Sequence, residues 1–155
     1  MLTTIEGNFD NPKVHELLIK HFIELRAASP EGSAHVLDIE GLKHSSIKFW
    51  SLWKDKKLTG CGALKFLDKN HGEFKSIRVH DNFRKKGYGI EIINHLIGEA
   101  KKLKIIRLSI ETGAGKFFEP ARKLFNKCNF EPCEPFAQYK IDKNSIYLTK
   151  LISNN

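Results

Sequence analysis

One segment near the middle of the chain constrains its fold more than any other, because residues 73–111 predict strand, turn, helix and strand in succession. An apolar strand ending at Val79 leads into the basic stretch 84–89, Arg-Lys-Lys-Gly-Tyr-Gly, and a helix follows. The apolar residues of this helix recur three and four positions apart, as in a helix with one buried face. Two strands joined by a crossover helix run parallel. The sequence therefore predicts a parallel strand pair within its sheet.

Further elements on both sides of this unit complete one layered domain. Asp10 or Asn11 can cap a first helix. The order of elements describes an α/β (α+β) sandwich around a mixed sheet, and 155 residues suffice for a single domain spanning 1–155. The other predicted elements are residues 11–28 and 120–128 as helices, 35–42 as a short helix or a turn, and 46–53, 58–67, 105–111, 136–141 and 145–151 as strands.

Composition and charge limit the class of protein. A content of 41% hydrophobic and 28% charged residues is typical of a globular protein. No apolar run reaches the roughly 18–20 residues of a membrane span, so a cytoplasmic location is expected. The three cysteines form no C-x-x-C pair, and neither a disulfide framework nor a metal site is predicted. The net charge of +8 favours an anionic partner.

The stretch 84–89 has the features of a seat for a phosphate-bearing ligand. Gly87 and Gly89 permit a tight turn, and the backbone N–H groups and positive end of the following helix attract an anion. A P-loop does not fit, because the lysines precede the first glycine and no Ser or Thr follows. A dinucleotide fingerprint does not fit either, because Ile92 replaces its third glycine. A purely structural turn is the alternative.

Three groups of residues share the spacing of a known family's motifs: Ile77-Arg78-Val79-His80, the stretch 84–90, and Ala121, Leu124, Phe125, Lys127 and Phe130. With them the chain resembles the GNAT superfamily of acetyl-coenzyme A-dependent N-acetyltransferases. Stretches 60–65, 71–73, 75–76, 108–113 and 135–139 are similar to its bacterial YsnE-like subfamily.

This resemblance implies a GNAT-like fold, with a central mixed, mostly antiparallel sheet splayed between strands 4 and 5 and about four flanking helices. Acetyl-coenzyme A is the implied co-substrate. Backbone amides from Lys85 to Ile90 would hold its pyrophosphate, and the amide of Val79 would stabilise the oxyanion. The full set of cofactor-binding residues so implied is Ile77, Arg78, Val79, Arg84, Lys85, Lys86, Gly87, Tyr88, Gly89 and Ile90.

Transfer of an acetyl group to an amine benefits from a base that removes the nitrogen's proton. Glu73 is the first candidate, and strand alternation predicts that it shares a face with Lys75, Ile77 and Val79. Glu111, at the end of strand five, is the second, and His80 is a third.

The sequence departs from the family at the position of the acid that protonates the coenzyme A thiolate. Phe125 stands where the family has a tyrosine, and Tyr139 or Tyr88 are candidate substitutes. Asn129 replaces a glycine, but asparagine tolerates the left-handed backbone that such a turn requires. Phe118 stands where the family often has a pantetheine-binding asparagine.

Arg26 and His35 are predicted to contact the acceptor, because polar side chains cluster at the end of the first helix and in the loop after it, and Arg26 could hold a carboxylate of the acceptor in a bidentate pair. The alternative is a helix-end arginine followed by a turn. Expected partners are a small-molecule or peptide amine and a second copy of the chain, without a membrane. Two alternatives stay open: a GNAT protein that binds coenzyme A without turnover, and a nucleic-acid-binding module that stacks bases on Trp50 and Trp53 among nearby lysines.

Overall fold

A seven-stranded mixed sheet runs through residues 2–152, the part of the chain that the computed structural model describes. Its strand order is β1-β2-β3-β4-β5-β7-β6, and β4 and β5 are its one parallel pair within those residues. The strands are β1 Leu2–Glu6, β2 Ile47–Lys54, β3 Lys57–Phe66, β4 His71–Val79, β5 Arg107–Gly113, β6 Glu131–Pro132 and β7 Ser145–Leu151. The predicted parallel pair is confirmed.

Four helices cover the two faces of the sheet: α1 Pro12–Ala28, α2 Ile39–Leu42, α3 Tyr88–Lys102 and α4 Glu119–Lys127. Val14, Leu17 and Leu18 of α1 pack with Phe49 and Trp53 of β2 on one face. The larger core lies on the other face, where α3 and α4 cover the sheet; its buried members include Ile92, Leu96, Phe74, Phe125 and Phe130. Within residues 2–152 no helix is long and apolar enough to cross a membrane.

The sheet divides between β4 and β5. These strands pair only at three positions near their beginnings, and the last pair joins Glu73 to Ser109. Beyond that pair β4 stays bonded to β3, and β5 stays bonded to β7. The predicted splay is therefore confirmed, and it opens a gap whose walls are the two free strand edges.

A β-bulge at Ser76 changes which residues of β4 share a face. Ala63 of β3 pairs with Lys75 while Cys61 pairs with Arg78, so two β3 steps oppose three β4 steps. Ser76 has φ of 53°, and its carbonyl accepts the Cys61 thiol at 3.3 Å. The prediction that Ile77 and Val79 share a face with Glu73 is wrong, because the extra residue restarts the alternation. Both pack against the core under α3.

Two other predictions need correction. Residues 136–141 are not a strand: Ala137 has φ of 52°, and the amide of Tyr139 donates to the carbonyl of Phe136 at 3.0 Å, which makes a turn. We call residues 133–144 the strap. The sequence also failed to predict β1, because most of its side chains are exposed and give no alternating pattern. The predicted left-handed Asn129 is confirmed, with φ of 67°.

The structure identifies Asn11 as the cap of α1. Its Oδ1 accepts the amides of Lys13 at 2.9 Å and Val14 at 3.4 Å, which otherwise have no partner within the helix. Replacing Asn11 by Ala is expected to lower the free energy of unfolding by about 1 kcal/mol, as measured by urea denaturation. Asp10→Ala is the matched control, because Asp10 precedes the cap; an equal loss in both variants would contradict this assignment.

Candidate active site

Glu73 lies at the point where β4 and β5 separate, and its carboxylate is almost fully buried, with 2% of the residue exposed. Its Oε2 accepts the hydroxyl of Tyr139 at 2.5 Å and lies 3.5 Å from the ammonium of Lys75. Lys75 also donates to the Tyr139 hydroxyl and to the carbonyl of His35, each at 3.1 Å. Burial, followed by the charge of Glu73, raises the pKa of Tyr139 well above its usual range. Tyr139 therefore stays protonated and is a poor acid.

Glu111 projects from β5 into the same region but has fewer partners. Parallel neighbours point to the same face of a sheet, and Glu111 follows Ser109, the partner of Glu73, by two residues. Its Oε2 accepts the hydroxyl of Ser145 at 2.8 Å. Burial raises the pKa of Glu111, and the Ser145 hydrogen bond only partly opposes this rise. We call Glu73, Lys75, Glu111, Tyr139 and His35 the carboxylate cluster.

The strap covers this cluster with aromatic rings. The ring of Tyr139 lies 5.0 Å from His35, 5.1 Å from Phe136 and 5.6 Å from Tyr147, centre to centre. Two further hydrogen bonds hold the strap in place, from Tyr147 to the carbonyl of Lys140 and from Ser33 to Asp142, both 2.7 Å. Open cavities of about 410 and 440 Å³ occur elsewhere on the surface, lined by other residues. The strap therefore packs over the buried Glu73, while His35, Glu111 and Tyr139 stay partly exposed.

The stretch 84–89 leaves the N-terminus of α3 without a side-chain cap. Gly87 occupies the N-cap position with φ of 89°, and a Cβ there would meet nothing within 4 Å. Lys85 is also left-handed, with φ of 61°. Successive left- and right-handed residues direct backbone N–H groups to one side, which forms a concave anion site. The uncapped amides, the open space and the positive helix end fit a pyrophosphate.

Gly89 has a different role from the one predicted. It is buried, and a Cβ at this position would lie 2.7 Å from Cδ2 of Leu124. Its lack of a side chain therefore lets α4 pack against α3, rather than letting a ligand approach the turn. The ring of Tyr88 instead packs against Phe83 at 5.3 Å and against the ammonium of Lys54 at 5.8 Å, and no contact among the described residues joins it to the carboxylate cluster.

Arg78 and Arg84 belong to a charge network around Asp81. Arg84 lies 2.9 Å from the Asp81 carboxylate, and Lys20 of α1 also pairs with it. The guanidinium of Arg78 is buried and pairs with Glu24 at 2.9 Å and with Asp81 at 3.5 Å. The side chain of Arg78 is thus directed toward α1, so a side-chain contact between Arg78 and the cofactor is not supported.

The amide of Val79 faces the gap. The next residue, His80, donates its own amide to the carbonyl of Thr59 in β3 at 2.7 Å. Since alternate residues of an antiparallel strand bond to the same neighbour, the N–H of Val79 points away from β3 and toward the open edge of β4. The side chain of His80 accepts the amide of Asn82 at 3.2 Å and so acts as a cap.

Arg26 is not brought to the cluster, whereas His35 is. Glu24 faces Arg78 on β4, and two residues further along a helix the side chain points about 200° away. The guanidinium of Arg26 instead lies 5.3 Å from the ring centre of Phe22.

Phe125, at the position of the family's tyrosine, is buried beside Phe130.

The sequence does not predict the side chains that partner the two carboxylates. It offers Tyr139 of the strap as an acid but not as the hydrogen-bond partner of Glu73, and it does not single out Ser145 and Tyr147 of β7. The aromatic run 135–139 was a signal, since it carries part of the subfamily resemblance.

Comparison with known proteins identifies the family. The acetyltransferase (GNAT) family profile matches residues 11–130, which is most of the chain. The chain belongs to the GNAT acetyltransferase family. It is 45% identical over 138 residues to YsnE of Bacillus subtilis (strain 168), an uncharacterised N-acetyltransferase, covering 89% of this chain and 91% of YsnE. This GNAT protein is therefore an acyltransferase.

Solved structures share its fold. A candidate acyl-CoA N-acyltransferase from Klebsiella pneumoniae superposes with a TM-score of 0.80 at 19% identity, covering 97% of both chains. A GNAT acetyltransferase from Elizabethkingia anophelis, solved with acetyl-CoA bound, superposes with a TM-score of 0.67 at 19% identity, covering 97% of this chain and 98% of that one.

Proposed function

We propose that this GNAT protein transfers the acetyl group of acetyl-coenzyme A to the nitrogen of an amine by direct attack on the thioester. The observation that carries the proposal is the separation of β4 and β5 beyond Glu73 and Ser109. It leaves a gap with a free amide on one side and the carboxylate of Glu111 on the other. Binding of acetyl-CoA by a structural neighbour supports the choice of co-substrate.

The uncapped N-terminus of α3 indicates which residues would bind the cofactor. The amides of residues 85–90 would hold the pyrophosphate, while the network around Asp81 fixes Arg84 at the start of the turn. The free edge of β4 at Ile77 and Val79 would bind the pantetheine arm as an added strand does. When bound, acetyl-CoA supplies the activated acyl group.

In the reaction, the nitrogen lone pair of the acceptor attacks the thioester carbon, and the carbonyl electrons move to oxygen. The N–H of Val79 stabilises that oxyanion. Glu111 accepts the proton lost by nitrogen, and the C–S bond then breaks with its electron pair on sulfur. The thiolate takes up a proton from Glu111 or from water, which gives the amide and free coenzyme A.

Glu111 is favoured over Glu73 as the base, which reverses the order that the sequence suggested. Oε2 of Glu73 already accepts Tyr139 and contacts Lys75, and the residue is 2% exposed. Glu111 has the Ser145 hydroxyl as its partner among the hydrogen bonds of residues 2–152. Its raised pKa also makes it a stronger base than an ordinary carboxylate.

The nucleic-acid alternative loses the residues that would stack on bases, because Trp50 and Trp53 are buried at 4% and 8% exposure. A protein that binds coenzyme A without turnover would show the same cofactor site, and only release of free thiol distinguishes the two. A cytoplasmic location and self-association stay predictions.

Acetyl-CoA is expected to stabilise the fold, by about 2.7 kcal/mol at a concentration one hundred times its Kd. Gly87→Asp should abolish this effect, because it adds a negative charge where the pyrophosphate would lie. Thermal melting with and without acetyl-CoA measures the change. Gly87→Asn is the matched control: asparagine has a similar size and also tolerates a left-handed backbone, but it carries no charge. Unchanged melting of the wild type at saturating acetyl-CoA would refute the cofactor site.

A further inference from the structure

The hydroxyl of Ser145 holds one of the two oxygens of the Glu111 carboxylate. Ser145 begins β7 opposite Gly113, two residues beyond Glu111 on β5, and its Oγ donates to Oε2 of Glu111 at 2.8 Å. The other oxygen, Oε1, has no hydrogen bond within residues 2–152 and is not one of the buried side-chain atoms that lack a partner, so solvent reaches it. The carboxylate therefore has one held oxygen and one free oxygen.

A tight turn at the end of the strap fixes the backbone of Ser145. The amide of Ser145 donates to the carbonyl of Asp142 at 3.0 Å, and the carbonyl of Asn144 accepts the amide of Ala114 at 2.9 Å. The amide of Asn144 donates to Oδ1 of Asp142 at 2.8 Å, as in an Asx turn. Ser145 is also buried. Its backbone and its packing together restrict where the hydroxyl can lie.

Hydrogen bonds join the same turn to the loop that follows α1. The hydroxyl of Ser33 donates to Oδ2 of Asp142 at 2.7 Å, and the side-chain amide of Asn144 donates to that hydroxyl at 3.3 Å. Ser33 is buried, and two residues later His35 reaches the carboxylate cluster. The loop that carries His35 and the turn that precedes Ser145 are therefore one connected structure beside Glu111.

Several elements place charged or titratable groups around Glu111: His35 from the loop after α1, Glu73 and Lys75 of β4, Tyr139 of the strap and Tyr147 of β7. Burial has the largest effect and raises the pKa of Glu111. The Ser145 hydrogen bond opposes this rise more than the charges of His35 and Lys75 do, while the charge of Glu73 adds to it. The hydroxyl is therefore the main single contact that favours the charged form of Glu111.

We propose that Ser145 is a positioning residue for acetyl transfer, whose hydroxyl holds Oε2 of Glu111 so that Oε1 meets the acceptor nitrogen. This inference rests on the proposed function, in which Glu111 is the base, and adds the residue that orients it. A donated hydrogen bond restricts rotation of the carboxylate and stabilises its charged form, which is the form that can accept a proton. Ser145 itself takes up no proton during the reaction.

Ser145→Ala is expected to lower kcat/KM by about tenfold at neutral pH, the change in rate that follows the loss of one hydrogen bond to a charged group. It should also move the acid limb of the kcat/KM profile to higher pH, because a carboxylate that loses a donor keeps its proton to a higher pH. Thiol release from acetyl-CoA measures the rate, with the fastest acceptor in a panel of amines, amino acids and short peptides. Ser145→Thr keeps the hydroxyl and should restore both the rate and the profile.

Thr149→Val is the matched control in the same strand. The hydroxyl of Thr149 bonds to Ser109 at 2.9 Å and to Arg107 at 3.0 Å, and not to Glu111. This variant should therefore lower stability without moving the acid limb, as a purely structural loss does. NMR titration of isotope-labelled glutamate side chains, with the Glu111 signal assigned from Glu111→Gln, reads the effect of Ser145→Ala on the carboxylate without any turnover.

The possible failures bear differently on the proposed function. An unchanged kcat/KM or an unchanged acid limb in Ser145→Ala would refute the positioning role and leave the transferase activity standing. An equal shift in Thr149→Val would also refute it, because the shift would not depend on contact with Glu111. If the wild-type protein binds acetyl-CoA but releases no thiol with any panel member, the proposed function fails, and the catalytic role of Ser145 fails with it.

Discussion

Replacing Glu111 by glutamine is expected to lower kcat/KM for acetyl transfer by about 10²–10⁴-fold, the usual contribution of a general base. Gln keeps the shape of the side chain and still accepts the Ser145 hydroxyl, but it cannot take a proton from the acceptor. Stabilisation by acetyl-CoA should be unchanged, because the cofactor loop lies at the other end of β4. The decisive measurement is initial-rate thiol release combined with cofactor-dependent melting.

The pH dependence of kcat/KM tests the role of Glu111 independently. Burial raises the pKa of Glu111, so it loses its charge at a higher pH than an ordinary carboxyl group. As the pH falls, the wild-type kcat/KM should therefore begin to decline at a pH above the usual pKa range of glutamate. The same decline should be missing from the residual activity of Glu111→Gln. A profile of identical shape in both proteins would exclude Glu111 as the base.

Glu73→Gln is the matched control, and we expect its main effect to be on the stability of the fold. Removing its charge leaves the ammonium of Lys75 buried without a counter-ion, which is expected to cost on the order of 3 kcal/mol of unfolding free energy. Its effect on stability should therefore exceed that of Glu111→Gln. If Glu73→Gln were stable but inactive while Glu111→Gln stayed active, the two roles would be exchanged.

His21 is expected to make the fold sensitive to acid. It is buried in α1, its Nδ1 has no hydrogen-bond partner within residues 2–152, and burial together with Arg78 and Arg84 lowers its pKa to about 3. Between pH 6.5 and 3 the unfolded chain therefore binds more protons at this residue than the folded one. Stability rises with pH across that interval and is lost as the pH falls.

Between pH 7 and pH 4.5 this single group should lower the free energy of unfolding by about 2.5 kcal/mol. Replacing His21 by leucine, which has a similar volume and no charge, should remove that contribution. Urea denaturation at the two pH values measures it, with the exposed His15→Gln in the same helix as control. Equal acid losses in the wild type and His21→Leu would show that His21 does not titrate in this way.

The parts of the fold that depend on local sequence were predictable, and the parts that depend on backbone irregularity were not. Helix α3 has a long apolar repeat, and its preceding turn contains Gly87, so both were located correctly. The bulge at Ser76 has no such signal, because serine is not a residue that usually adopts a positive φ. Strict alternation therefore assigned Ile77 and Val79 to the wrong face.

The site was predictable in its carboxylates but not in their partners. Glu73 is identifiable from the family resemblance, because it lies eleven residues before Arg84, and Glu111 from its position at the end of strand five, where the gap is expected to open. Tyr139 approaches Glu73 from 66 residues further along the chain, and only the tertiary fold brings them together. The same applies to Arg26: its helix was predicted, but which flank faces β4 depends on how α1 packs.

The bulge at Ser76 separates the requirements of folding from those of activity. It follows the last β4–β5 pair by three residues, and a bulged strand bends and twists more strongly than a regular one. A chain lacking Ser76 alone would restore regular pairing with β3 while leaving every other side chain of β4 on its present face. Such a chain would be expected to keep its hydrophobic core and to let β4 follow β5 further. A single backbone residue would thus determine whether this sheet has room for a thioester.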